Sequence, residues 1–250
     1  MEIRYYREYS HSLQRDMEFK VYGTRGKPVV WFACQSGRFY DFENFKMVDA
    51  LSDFIEQGRI QVFCPDSIDD ETWVNPTWDK RYVGEMMEKW VHYIMDEFCP
   101  RVFEINSENQ NRVHGLLAAG ASMGGMHAAN LFFRRPDIFD GVISLSGAYN
   151  ADMFIQGYMD ENIYNNSPIH YLNNLPSDHW YMDLYNKNQI VICCGQGDWE
   201  GPLLESTYKL KEVLDQKGIH AWVDIWGMDV AHDWPWWFIQ MPYFLEKLGY

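Results

Sequence analysis

Hydrophobic and polar positions change period along the chain, and each change marks an element. Met17, Phe19 and Val21 alternate with Glu18, Lys20 and Tyr22, the period of two of a half-buried strand, and Glu2–Tyr9 is placed to pair with it as an antiparallel edge. Val29–Cys34 is a short continuous apolar run, as a strand covered on both faces requires. Phe42, Phe45, Val48, Leu51 and Ile55 recur at helical spacing, with Gly58 as a C-terminal stop. Ile60–Cys64 predicts the next strand. Val83, Met86, Met87, Trp90, Val91, Ile94 and Phe98 then predict a long helix whose Met and Trp stripe reads as core.

Leu116–Ala121, Gly141–Leu145 and Ile190–Cys194 predict three further strands. Pro202 stands in the first turn of a helix carrying Leu203, Thr207, Leu210 and Leu214 on one face, up to Gly218. Ala221, Val223 and Ile225 alternate with Trp222, Asp224 and Trp226, which places this strand at an edge. Trp234–Leu248 reads as a closing helix that Pro242 should bend. Strands alternating with helices predict an α/β fold, a mostly parallel sheet with helices on both faces, as a single domain over residues 1–250. Residues 148–188 interrupt this rhythm with Asn162, Asn165, Asn166, Asn173, Asn174 and several aromatics. They are either an insertion forming a partial lid over the substrate pocket or a surface excursion that never meets substrate.

The chemistry concentrates at Gly120-Ala121-Ser122-Met123-Gly124-Gly125, between the apolar run Leu116–Ala119 and the helical stretch Met126–Arg135. A serine in G-x-S-x-G with a strand before it and a helix after it is a nucleophile elbow. Small flanking residues permit a turn too sharp for bulkier ones, and the serine hydroxyl is pushed off the end of the sheet. The alternative, a merely flexible turn, does not explain the flanking strand and helix. Ser122 is the expected nucleophile.

A serine hydroxyl needs a base within about 3 Å, itself oriented by a carboxylate. Among eight histidines, His232 stands between the last strand and the closing helix, in a loop at the carboxyl edge of the sheet. His127, in the helix after the elbow, cannot easily face back to Ser122 and is expected to pack or to hydrogen-bond locally. His11, His92, His114, His170, His179 and His220 lack a matching context. For the carboxylate, Asp198 follows a strand in Gly195-Gln196-Gly197-Asp198-Trp199-Glu200, with Asp229 and Glu200 as alternates. A plain turn role for Asp198 is the competing reading. The serine–acid–histidine chain order is the one used by α/β-hydrolases. For the oxyanion, the backbone N–H of Met123 is one expected donor, and Gln35 or Ser36, where Gly37 lets the chain turn, is the second.

Composition narrows the partners. A net charge of −15, with no Lys/Arg run, excludes a nucleic-acid binder and a basic membrane-surface helix, and leaves a neutral or small substrate. Five cysteines cannot all pair, and the absence of C-x-x-C supports neither a zinc site nor a redox motif. The N-terminal Met1-Glu2-Ile3-Arg4 carries charges where a signal peptide would be apolar, and no run is long enough to span a bilayer, so a reduced, cytoplasmic protein without membrane partners is expected.

At Gly120–Gly125, the Gly197-Asp198 loop and His232-Asp233-Trp234 the sequence resembles the esterase D-like group of α/β-hydrolases, which includes S-formylglutathione hydrolases, feruloyl and acetyl-xylan esterases, and mycolyltransferases. The resemblance extends more loosely over most of the chain. It implies an α/β-hydrolase fold and carboxylic-ester hydrolysis through an acyl-serine and a Ser122–His232–Asp198 triad, with no metal or organic cofactor. Where many members carry His-Gly after the third strand this chain has Cys34-Gln35-Ser36-Gly37, and where many carry Gly-Gly before the histidine it has Val230-Ala231. Trp73, Trp78, Trp199, Trp234, Trp236 and Trp237 fall in or beside loops on the expected active edge, and Trp73, Trp199 and Trp234 are the candidate substrate-binding walls for a small or aromatic acyl ester. Acyl transfer to an alcohol or sugar acceptor is the alternative reaction. A non-catalytic binding module on the same scaffold is the alternative class.

Overall fold

The computed structural model describes residues 1–75 and 79–250. Eight strands, β1 (Ile3–Ser10), β2 (Arg15–Tyr22), β3 (Lys27–Phe32), β4 (Ile60–Pro65), β5 (Leu116–Ala121), β6 (Phe139–Leu145), β7 (Gln189–Cys194) and β8 (Trp222–Ile225), form one sheet in the order β1-β2-β4-β3-β5-β6-β7-β8. All neighbours from β4 to β8 run parallel, while β2 is antiparallel to both β1 and β4. This is the mostly parallel sheet the alternation of elements predicts, and the α/β-hydrolase fold the resemblance implies, with β1 as the antiparallel edge and β8 closing the other side.

The central strands are buried on both faces, so alternate residues enter two separate cores. Val30, Phe32, Leu116 and Ala118 pack under the helices Lys80–His92, Cys99–Asn106 and Met123–Arg134. Val29, Trp31, Leu117 and Ala119 face the short helices of residues 41–56 and the closing helix Trp234–Leu248. The two continuous apolar runs β3 and β5 are therefore explained by double coverage rather than by alternation.

Two helices depart from expectation. The single helix expected over Phe42–Ile55 is three short ones, Asp41–Asn44, Met47–Ala50 and Ser52–Glu56: Lys46 takes a left-handed φ of 64° that α-helical bonding cannot span, and Leu51, at φ −107° and ψ 8°, leaves the helical region at the second break. The helix expected to end near Phe98 instead continues through a π turn, Tyr93–Phe98, into Cys99–Asn106. The closing helix runs Trp234–Leu248 with Pro242 inside it. Residues 148–188 fold into four short helices, Asp152–Ile155, Glu161–Asn165, Pro168–Asn174 and Tyr181–Lys187. All five cysteines are free, and four of them, Cys64, Cys99, Cys193 and Cys194, are buried. No helix among the described residues is long and apolar enough to cross a membrane.

Candidate active site

β5 ends in Gly120-Ala121, and the next residue, Ser122, takes φ 58° and ψ −126°, a backbone state rare for a side-chain-bearing residue. The turn is possible because its neighbours lack bulk. A Cβ on Gly124 would lie 2.1 Å from the Phe32 carbonyl oxygen, and one on Gly120 would lie 2.4 Å from the Gly124 backbone. The helix Met123–Arg134 can thus start directly against the end of β3, with Ser122 N–H bonded to the Leu145 carbonyl at 2.9 Å.

Two other strand ends meet the serine. His232, in the loop between β8 and the closing helix, places Nε2 2.9 Å from Ser122 Oγ. On the opposite side of the ring, Nδ1 lies 3.2 Å from Glu200 Oε2. Glu200, not Asp198, therefore sits on the imidazole. Asp198 is exposed, and its link to His232 is through the main chain, His232 N–H donating to the Asp198 carbonyl at 2.9 Å. The physical reason lies at Trp199, whose left-handed φ of 69° reverses the chain between the two acids and turns the Glu200 side chain inward as the N-cap of the helix Gly201–Lys217.

Glu200 is fully buried and every contact to it is a donor. Ser146 Oγ–H bonds to Oε1 at 2.5 Å, Gly195 N–H approaches Oε1 at 3.4 Å, and the Cys194 thiol points at Oε2 at 3.4 Å. Ser146 is in turn held by Trp237, whose indole N–H reaches its Oγ at 3.4 Å and whose ring meets His232 edge-on at 5.0 Å. Burial pushes the Glu200 carboxyl up, but the hydrogen bonds from His232 and Ser146 outweigh it and hold the group below the ordinary glutamate range. A carboxylate that only accepts requires the proton on Nδ1, which leaves Nε2 free to accept from Ser122. An imidazole set this way between a hydroxyl and a carboxylate can take the hydroxyl proton as the oxygen attacks.

The expected oxyanion region is likewise close to the serine, although its two candidates differ. Cys34–Gly37 is a four-residue turn closed by Gly37 N–H to the Cys34 carbonyl at 2.8 Å, with Ser36 at φ 55°, the left-handed third position of a type II turn. Ser36 N–H is already committed to Asp69 Oδ2 at 3.2 Å, and its hydroxyl to Asp70 at 2.5 Å. Gln35 lines the cavity at Ser122, and neither its N–H nor that of Met123 has a hydrogen-bond partner among the described residues. Holding a non-glycine residue left-handed costs about 1–2 kcal/mol, which a hydrogen bond to a buried carboxylate, worth ~1.5–3 kcal/mol, can offset. His127 packs on Trp90, and its Nε2 bonds the other Asp69 oxygen at 2.9 Å, a partner 58 positions away rather than a local one.

The cavity beside these groups measures about 220 Å³. Gln35, Ser122, Met123 and His232 bring its polar chemistry, and Ala148, Met153, Phe154, Pro202, Leu203 and Trp199 are its apolar walls. Trp199 stands 86 % exposed at the rim. Of the other two candidate walls, Trp73 is buried behind Phe154 at 5.7 Å between rings, and Trp234 stacks on Phe45 at 4.8 Å; neither lines the cavity. Trp78 lies outside the described residues. From the 148–188 insertion, Ala148, Met153 and Phe154 reach the cavity, although no motif in the sequence marks any of the three. The sequence favours Asp198, with Glu200 as an alternate; the signal for Glu200 is its place directly before the Gly201-Pro202 helix start, although its carboxylate makes no cap hydrogen bond there and turns to His232 instead.

Residues 10–247 match the model of a family described as "Putative esterase". No curated protein matches the chain. Among solved structures, a ferulic acid esterase superposes with TM-score 0.73 at 15% identity, covering 99% of this chain and 98% of that one. MPT51 of Mycobacterium tuberculosis gives 0.72 at 15% identity (99% and 98% covered), and an S-formylglutathione hydrolase of Staphylococcus aureus gives 0.66 at 13% (99% and 96%). At these identities the likeness is one of fold.

Proposed function

Since the chain belongs to the esterase family and is a carboxylic-ester hydrolase, we propose that it works through an acyl-serine intermediate with Ser122 as nucleophile, His232 as base and Glu200 as the orienting acid. The observation carrying this reading is the unbroken chain of hydrogen bonds from Ser122 Oγ to His232 at 2.9 Å and on to Glu200 at 3.2 Å. Ser122 Oγ forms a bond to the ester carbonyl carbon while His232 Nε2 takes its proton. The resulting imidazolium is stabilised by Glu200. The carbonyl oxygen becomes an oxyanion that the N–H groups of Met123 and Gln35 receive, a role worth about a hundredfold to a thousandfold in turnover per donor. When the tetrahedral centre collapses, the bond to the alcohol oxygen breaks and His232 returns the proton to the departing alcohol. A water then repeats the sequence: His232 deprotonates it, it attacks the acyl carbon, and Ser122 leaves with the proton as the acid departs.

The apolar walls and the volume of about 220 Å³ favour an uncharged acyl group, small or with a single ring. The test is p-nitrophenyl acetate hydrolysis by wild type and Ser122→Ala. Turnover should vanish in the variant while its thermal melt stays within a few degrees of wild type. Turnover at the wild-type rate in Ser122→Ala would remove the assignment.

A further inference from the structure

Asp69 lies just past β4, far in sequence from Ser122, and is 2 % exposed. Its two oxygens are divided between two elements that the proposed reaction needs. Oδ1 takes His127 Nε2 at 2.9 Å, on the helix whose first N–H is Met123, and Oδ2 takes Ser36 N–H at 3.2 Å, in the turn that carries Gln35. His127 is itself 2 % exposed and packed on Trp90 at 4.7 Å between rings, so the carboxylate is anchored from the protein interior. The turn it grips is under backbone tension: Ser36 holds φ 55° where a glycine would be at ease. Rotating the Gln35–Ser36 peptide would release that tension, and it would also swing the Gln35 carbonyl toward the Asp69 carboxylate, where two acceptors oppose each other.

We propose that Asp69 is a positioning residue of this enzyme: with His127 it clamps the Cys34–Gly37 turn to the nucleophile helix and so fixes the spacing of the Gln35 and Met123 N–H groups for the oxyanion. The inference rests on the esterase reading above. Neither residue touches substrate, and the effect reaches the reacting atoms only through the turn. A displacement of about 1 Å at an oxyanion donor is enough to cost on the order of a hundredfold in rate.

The experiment compares Asp69→Ala and Asp69→Asn with wild type in p-nitrophenyl acetate hydrolysis, with active sites counted by fluorophosphonate titration, and measures inhibition by butylboronic acid, whose adduct with serine places an oxygen at the oxyanion position. In Asp69→Ala, kcat per titrated site should fall about 10- to 100-fold with KM within about threefold, and the boronate should weaken by the same factor. Asp69→Asn keeps an acceptor oxygen for Ser36 N–H and should recover to within about fivefold of wild type. Should Asp69→Ala not fold, the double variant Asp69→Leu/His127→Phe replaces the whole buried pair with apolar groups of similar size and carries the same expectation. A purely structural role would lower the melting temperature and the titrated fraction, but leave kcat per site and boronate affinity unchanged. That result, or a loss confined to KM, overturns the proposal. Turnover surviving in Ser122→Ala would instead remove the esterase site, and the proposal with it.

Discussion

Substituting Glu200 by glutamine changes one atom and should change which ring nitrogen of His232 carries its proton. In the wild type both carboxylate oxygens face donors only: Ser146 O–H and Gly195 N–H at Oε1, His232 Nδ1 and the Cys194 thiol at Oε2. An amide must turn its NH₂ to one of these sides. Gly195 N–H cannot become an acceptor, and Ser146 Oγ already receives the Trp237 indole N–H, so the amide oxygen stays there and the NH₂ faces His232. Nδ1 is then forced to accept, the proton moves to Nε2, and Nε2 can no longer receive the Ser122 proton. Serine hydrolases that suffer this tautomer error lose on the order of 10⁴-fold in kcat, ~5.5 kcal/mol of transition-state stabilisation. Asp198→Asn keeps the main-chain carbonyl that holds His232 N–H and alters only an exposed side chain, so it should stay within about threefold of wild type. Active-site-titrated p-nitrophenyl acetate kinetics, with circular dichroism to confirm folding, decide the matter. A Glu200→Gln enzyme within about tenfold of wild type, beside a crippled Asp198→Asn, would refute the reasoning.

Three further outcomes follow from the same geometry. Gly124→Ala would set a Cβ 2.1 Å from the Phe32 carbonyl, backbone that cannot yield, so a loss of about 3 kcal/mol or more and a melting point lower by ~6–12 °C are expected by calorimetry. Trp199→Ala removes a rim indole that packs on little else, so KM for an aryl ester should rise about three- to tenfold with kcat and melting point nearly unchanged; an unaltered KM would take Trp199 off the substrate path. Because Glu200 titrates below its ordinary range when folded, its charge contributes stability that is present above the unfolded value, about 4.3, and is lost as pH falls through the lower folded value. The melting-point gap between wild type and Glu200→Gln should therefore shrink on acidification through that window, and a gap that widened would contradict the donor shell around Glu200.

Much of this was legible in the sequence, for identifiable reasons. Buried parallel strands announce themselves as apolar runs, and β5 begins and ends at the residues its pattern predicts, Leu116 and Ala121. The Ser122 elbow is a local feature, set by the glycines around it, and so can be read locally. His232 could be placed because the carboxyl ends of parallel strands share one edge. What failed depended on single backbone angles. Lys46 broke a helix whose side-chain spacing was sound, and Trp199 decided between two acids two residues apart, although neither is a residue type that favours a left-handed φ. Likewise, nothing along the chain links Asp69 to Ser36 or His127. That contact exists only because β3, β4 and the nucleophile helix lie side by side.

No sulfur of the five cysteines is tied up in a disulfide. Burial raises all five thiols, Cys34 to about 12, so at neutral pH almost none is present as the reactive anion, and four of the five are also shut away from solvent. A maleimide dye offered to the native enzyme should find nothing to attach to. A single cysteine introduced at an exposed helical position, such as Gln216→Cys, would then take the label alone, so a fluorophore or spin probe can be attached without stripping out the natural cysteines first.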